Sequence, residues 1–173
     1  DPSNSQIIRD GTRYSSSFLI HGPGSDLYAV KDVPHGTISK VWYDSPTLGL
    51  TRRLYVYTPA GYESSGKRYP VLYLLHGGGG DEDAWTTMGR TIQIMDNLIA
   101  TGKALPMIVV MPNGNAGQSA TLGEAATSVA ATITPGSTSG GNFETGLVNE
   151  IVPFFDRNFE TMGEHSGREG SGF

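Results

Sequence analysis

Val71-Leu72-Tyr73-Leu74-Leu75-His76-Gly77-Gly78-Gly79-Gly80 is the stretch on which the fold turns. Five consecutive apolar residues predict a strand covered on both faces rather than one facing water. That strand breaks straight into His-Gly-Gly-Gly-Gly. Glycines without Cβ atoms let successive backbone N–H groups swing toward one shared point, which is the geometry an oxyanion hole demands. Upstream, Thr37 to Tyr43 and Arg52 to Thr58 are rich in β-branched and aromatic residues, and Ser45-Pro46-Thr47-Leu48-Gly49 lies between them as a turn, so the pair predicts a hairpin. Downstream, Trp85, Met88, Ile92, Met95, Leu98 and Ile99 fall at helical spacings and predict one amphipathic helix over Asp83 to Lys103, with Gly102 near its end. Pro106 to Met111 is a second continuous apolar strand, delivered into Pro112-Asn113-Gly114. Buried strand, helix and buried strand in that order predict an α/β fold with a mostly parallel sheet.

The flanks are less regular. Residues 113–141 are small and polar without a period, which predicts a long surface loop. Asn142 can cap a last helix, Phe143 to Asn158, whose stripe is Phe143, Leu147, Ile151 and Phe154 and whose Pro153 should kink it. Residues 1–36 are rich in Ser, Gly, Pro and Asp and read as a linker, or as the last strands of a preceding module; residues 163–173 are polar and glycine-rich.

Composition narrows the function classes. The chain has 173 residues, of which 37% are hydrophobic and 17% charged, enough for one domain with a real core. A net charge of −5 and the absence of any Lys/Arg cluster beyond the pairs Arg52-Arg53 and Lys67-Arg68 argue against a nucleic-acid partner. No apolar run approaches the roughly 20 residues that span a bilayer, so no membrane association is expected. Zero cysteines exclude disulfides, thiol nucleophiles and thiolate metal sites. The chain starts at Asp1 without a signal-type segment, and a mature or trimmed form of a secreted or periplasmic protein is the expectation.

From Asp32 to Glu160 the sequence resembles the esterase D group of the α/β hydrolases, in particular feruloyl and acetyl-xylan esterases of carbohydrate esterase family one. Asp32-Val33-Pro34-His35-Gly36 resembles the join from an amino-terminal immunoglobulin-like module. Arg53-Leu54-Tyr55-Val56-Tyr57-Thr58-Pro59 through Gly61-Tyr62 resembles the second strand and its exit, and Tyr69 to Gly78 the third strand and oxyanion loop. Asp96-Asn97-Leu98-Ile99-Ala100 and Pro106 to Met111 resemble the first helix and fourth strand. The resemblance implies the amino-terminal half of an α/β hydrolase, a three-layer sandwich over residues 37–173 behind a short β-type or linker segment. It also implies that the third strand lies between the fourth and a fifth, so that Val71 to Leu75 stands at a sheet edge here, open to self-association or to a complementing chain.

Acyl transfer through a covalent intermediate needs a Ser activated by a His, an acid that orients the His, and donors for the oxyanion. The donors are the part visible here. By resemblance the N–H of Gly78 is the leading donor, with Gly77 and Gly79 shaping the loop and His76 fixing it rather than acting as base. Trp85 lines an acyl pocket or packs in the core, and Asn113-Gly114 forms a substrate-binding loop or a plain turn at the edge where α/β folds bind ligands. Asp81, Glu82 and Asp83 suit the start of a helix, and no metal or cofactor is expected. Neither Ser166 nor Ser171 has Gly two residues away on both sides, and His165 reads as a solvated residue. The expectation is therefore an esterase of the feruloyl or acetyl-xylan type, acting on plant cell-wall polysaccharide esters and shortened before its nucleophile. Another esterase of the superfamily, such as a siderophore esterase, an acyltransferase, or a noncatalytic carbohydrate-binding or assembly module are the alternatives.

Overall fold

The structure is a computed structural model and describes residues 7–10, 13–121 and 142–162. His165, Ser166 and Ser171 lie outside the described residues, as does the 122–141 part of the expected long loop.

Two short antiparallel strands come first, β1 (Ile7–Asp10) and β2 (Arg13–Ser16), followed by a 3-10 turn at Ser25–Leu27. The predicted hairpin is present as β3 (Thr37–Ser45) and β4 (Leu50–Thr58), in register from Thr37 opposite Thr58 to Ser45 opposite Leu50. A short helix, α1 (Tyr62–Ser65), leads to β5 (Val71–Tyr73). Helices α2 (Ala84–Thr87) and α3 (Thr91–Ala100) then cross to β6 (Ile108–Pro112). The last helical segment consists of α4 (Asn142–Gly146), a π-helical turn (Leu147–Ile151) and α5 (Val152–Asn158).

The main sheet has the order β3-β4-β6-β5. It is mixed rather than mostly parallel among the described residues: β4 meets both β3 and β6 antiparallel, and parallel pairing begins at β6–β5. A short turn can join β3 to β4 only in antiparallel fashion, whereas the helical crossover from β5 to β6 permits parallel pairing. Strand alternation divides the core in two. Tyr55, Tyr57, Val109 and Met111 pack with Met95 of α3, while Leu54, Val56, Ile108 and Val110 pack with Phe143, Ile151 and Phe155 on the opposite face. Helix, sheet and helix thus form three layers.

Among the described residues β5 is the last strand of the sheet, and only β6 has the two-sided cover expected of both strands: Ile108 to Met111 are fully buried, whereas Leu72 is 41% exposed. At the foot of β5 the Tyr69 N–H donates to Glu160 O at 2.9 Å, and the Met162 N–H donates to Tyr69 O at 2.9 Å. This rung at Thr161 is parallel.

The single helix expected over Asp83 to Lys103 is broken. A Cβ at Gly89 would stand 2.9 Å from both Cα and O of Trp85, and Arg90 adopts φ 50°. Arg90 Nε donates to Tyr28 O at 2.9 Å, so the break is tied to the amino-terminal segment. That segment is held along α3. Asn97 Nδ2 donates to the carbonyls of Leu27 and Ala29, and buried Asp96 accepts from the Gly36 N–H at 2.9 Å and the Tyr57 hydroxyl at 2.8 Å and pairs with His35 Nδ1.

Gly36 sits where the segment enters β3, and a Cβ there would lie 2.4 Å from the Tyr57 ring and 2.5 Å from Thr58 O. A backbone carbonyl at the paired end of β4 cannot move aside freely. Gly36→Ala is expected to cost about 2–3 kcal/mol, read as a lower urea midpoint at unchanged slope; an unaltered midpoint would contradict the packing described.

Candidate active site at the carboxyl edge of the sheet

β5 and β6 run parallel, so the segments that leave them emerge side by side. The Leu74 N–H still donates to Val110 O at 2.8 Å, after which the chain departs into His76 and the glycines. Gly80 N–H donates to Gly77 O at 3.2 Å and Gly79 has φ 84°, which closes a tight turn whose tip is exposed. A positive φ of this size explains glycine at position 79. Among the described residues, the N–H groups of Gly77, Gly78 and Gly79 donate to no acceptor.

His76 locks the turn. Its Nδ1 lies 2.8 Å from Gly77 O, and its Nε2 accepts from the Gly114 N–H at 2.8 Å. The carbonyl requires a proton on Nδ1 and the amide requires a lone pair on Nε2, so one neutral tautomer satisfies both. No lone pair is left to take a proton from a nucleophile. A Cβ at Gly114 would approach Nε2 to 3.3 Å, which favours glycine there.

The sequence expectation brought together His76, Gly77, Gly78, Gly79, Asn113 and Gly114, and the structure places all of them at this edge. The Asn113 side chain, however, points into the protein. It is fully buried, its Nδ2 donates to Glu82 Oε2 at 2.8 Å, and its Oδ1 accepts from the Asn115 N–H at 2.8 Å. Trp85, on α2, packs against the α3-side core with part of its ring exposed.

The surface loop expected after β6 is anchored at both ends: Gly114 to Ser119 are half-buried or exposed, but its flanks are not. Asn113, Ala120 and Thr121 are buried, because this loop is the acceptor and donor set for charges on β4 and on the run after the glycines. Arg52 Nη2 donates to Asn113 O and Asn115 O, each at 2.7 Å, and Arg52 Nε donates to Gln118 O at 3.0 Å. Arg53 Nε donates to Glu82 Oε1 at 3.0 Å, which also accepts from the Thr121 N–H at 2.7 Å. Asn115 Nδ2 donates to Gly80 O at 2.8 Å. These arginines and Glu82 are each about 1% exposed. The available signal was the placement of two arginines inside an apolar strand, where a charge survives only if it is paired.

Asp81 and Glu82 consequently do more than open a helix. Asp81 pairs with Arg9 of β1 and accepts from the Thr121 hydroxyl at 2.8 Å. Burial raises its pKa, but the bonds from Arg9 and Thr121 outweigh it and hold the carboxyl below the usual range. A depressed folded pKa contributes stability that is present above the unfolded value of about 3.9 and is lost as pH falls through the folded value. Asp81→Asn should therefore flatten the acid limb of stability below about pH 4, checked by urea midpoints from pH 6 to 2; an unchanged limb would contradict the pairing. Glu82 shifts the other way, because burial outweighs its donors.

A helix–sheet–helix sandwich with a glycine turn at the carboxyl edge of a parallel strand fits the α/β hydrolase class. Residues 45–169 match the Esterase family model, and the chain belongs to that family. It is 36% identical over 165 residues to an endo-1,4-beta-xylanase/feruloyl esterase of Xylanibacter ruminicola, covering 92% of this chain and 21% of that protein. The feruloyl esterase module from Clostridium thermocellum, solved with sinapinate, aligns with TM-score 0.61 and 28% identity over 88% of this chain and 46% of the other. A ferulic acid esterase from Anaeromyces mucronatus, in complex with ferulic acid, aligns with TM-score 0.62 and 26% identity over 84% of this chain and 52% of the other. The chain thus spans about a fifth of that curated relative and about half of the solved ones.

Proposed function

We propose that this chain is the oxyanion-hole half of a carboxylic ester hydrolase acting on feruloyl or acetyl esters of plant xylan. The observation that carries the reading is the exposed glycine turn, whose N–H groups at Gly77, Gly78 and Gly79 meet no acceptor among the described residues while His76 fixes the backbone behind them. Prealigned donors of this kind stabilise a tetrahedral oxyanion without reorganising during the reaction. Gly78 is the leading donor, and Gly77 and Gly79 set its direction. Gly114 holds His76, Asn113 acts through the loop it anchors, and Trp85 backs the wall beside the turn. With both nitrogens of His76 engaged, the general base of the reaction is another residue. The ester and sugar are assigned from the feruloyl esterases it resembles, and a polymeric cell-wall substrate places the enzyme outside the cell.

In the same reading residues 37–173 form the hydrolase part, and residues 1–36 are a linker or the remnant of a preceding immunoglobulin-like module. The chain after α5 runs parallel to the foot of β5 at Thr161, the direction in which a further strand would continue beside it.

Methylphosphonate, a small tetrahedral oxyanion, tests the donors. Titrated into the labelled chain, it is expected to shift the amide signals of Gly77 to Gly79. Gly79→Val, strained at φ 84° and costing about 1–2 kcal/mol, should abolish that response while the β6 signals persist. A wild-type chain whose glycine amides ignore the anion at tens of millimolar would refute the oxyanion assignment.

A further inference from the structure

We infer that Glu82 is a positioning residue for the glycine turn: its buried carboxylate fixes the loop after β6 at the distance from which that loop grips His76 and Gly80. The inference rests on the oxyanion reading of the turn for its functional meaning, but its geometry stands independently.

The bonds form a closed circuit. Glu82 lies two residues beyond Gly80, on the chain that leaves the turn. Its Oε2 accepts from Asn113 Nδ2 at 2.8 Å, and its Oε1 accepts from the Thr121 N–H at 2.7 Å, which fixes both ends of the 113–121 loop. From Asn113 the next residue, Gly114, donates its N–H to His76 Nε2, and Asn113 Oδ1 accepts from the Asn115 N–H, with Asn115 Nδ2 reaching Gly80 O at 2.8 Å. His76 and Gly80 bracket Gly77 to Gly79. The donors are therefore suspended between two points, each held by a loop that Glu82 holds.

A carboxylate is an expensive way to fill a core position. Glu82 is 1% exposed and is neutralised by Arg53 at 2.9 Å, and an apolar pair of the same volume would serve packing at least as well. What an apolar pair could not do is accept from Asn113 and Thr121 together. Two acceptor oxygens in one plane, aimed at opposite ends of a loop, are what the circuit uses.

The test reads the far end of the circuit. Glu82→Gln keeps the shape and removes the charge; Asn113→Leu cuts the relay and leaves the Arg53–Glu82 pair intact, so it remains informative if the first variant fails to fold. In nitrogen NMR of the labelled chain, wild-type His76 should show the Nδ1–H tautomer alone. Both variants are expected to show mixed tautomers at His76 and an increase of at least about tenfold in hydrogen exchange at Gly114, with Val109 to Met111 still protected. A merely structural contribution from Glu82 would lower stability without altering the His76 tautomer. Folded variants with wild-type His76 signals and Gly114 exchange would overturn the inference. Loss of methylphosphonate response in the variants, but not in the wild type, joins the positioning to the oxyanion site; a wild type with no response leaves the circuit intact and removes only the oxyanion reading.

Discussion

Phe155→Ala is expected to cost about 3–5 kcal/mol, and Phe154→Ala only about 1–2 kcal/mol. The two rings are adjacent in sequence and differ in what they fill. Phe155 is fully buried between α5 and the sheet, stacked on Phe159 at 4.7 Å between ring centroids and edge-on to Tyr73 at 6.4 Å. Phe154 is half-buried at the margin, tilted against Tyr43. Removing Phe155 opens a cavity between elements that cannot collapse, because β4 and β6 are pinned on their other face by α3. Urea titrations of the two variants measure the difference, and an equal loss, or a larger one for Phe154, would contradict the phase of this helix.

The second large effect lies in the Arg53–Glu82 pair. Arg53→Met should destabilise the chain by about 3–5 kcal/mol, because it leaves a carboxylate in the core without its cation. Glu82→Leu should cost a similar amount for the opposite reason. The combined variant should be less destabilised than the sum by more than about 2 kcal/mol, which a double-mutant cycle reads directly. Recovery stays partial, since Asn113 Nδ2 and the Thr121 N–H lose the acceptor oxygens they share. Glu82 also gives the pH dependence a definite sign. Burial raises its pKa, so the folded state holds the proton more tightly than the unfolded one, and stability attributable to this group falls as pH rises through its folded value. The Arg53→Met deficit should accordingly narrow as pH is lowered, where protonation neutralises the orphaned carboxylate. Additive single variants would show that the two charges are not coupled.

Much of the architecture was legible in the pattern of apolar residues. Enrichment in β-branched and aromatic residues on both sides of the Ser45–Gly49 turn identified the hairpin, and the apolar runs at Val71 and Pro106 identified the two parallel strands. The stripe beginning at Trp85 marked the crossover. The sequence also pointed to the candidate site, because a strand ending in His-Gly-Gly-Gly-Gly puts a glycine turn at a sheet edge whatever lies around it; that its N–H groups serve an oxyanion is the proposal. What stayed hidden depended mostly on partners far away in the chain. The helix over Asp83 to Lys103 breaks where Gly89 packs on the backbone of Trp85 four residues before it and Arg90 is tied to Tyr28, and only the second of these partners is distant in sequence. The stripe ending at Phe154 missed Phe155: four residues past buried Ile151 in a regular α-helical turn, Phe155 fills the core while Phe154 packs at its margin. A polar composition concealed the 113–121 loop in the same way. Its polar groups are consumed by Arg52, Arg53 and Glu82 rather than by water, and periodicity carries no information about such pairings.

The amino-terminal segment adds a related point. Its composition suggests a connector, yet Arg9, Leu27, Ala29 and Gly36 each meet a buried group of the α2–α3 layer or of the acidic run after the glycines. Through Arg9 and Asp81 this segment touches the same run of residues that frames the turn. Conditions that loosen it should therefore be felt at the site before the sheet itself opens.

The most direct test is hydrolysis of methyl ferulate by the purified chain, with its intact mass read after exposure to a serine-directed fluorophosphonate. An oxyanion half without its nucleophile predicts no turnover above background and an unmodified mass. Ferulate release accompanied by a single phosphonate adduct on a serine of this chain would contradict the account and place a complete catalytic centre within these 173 residues.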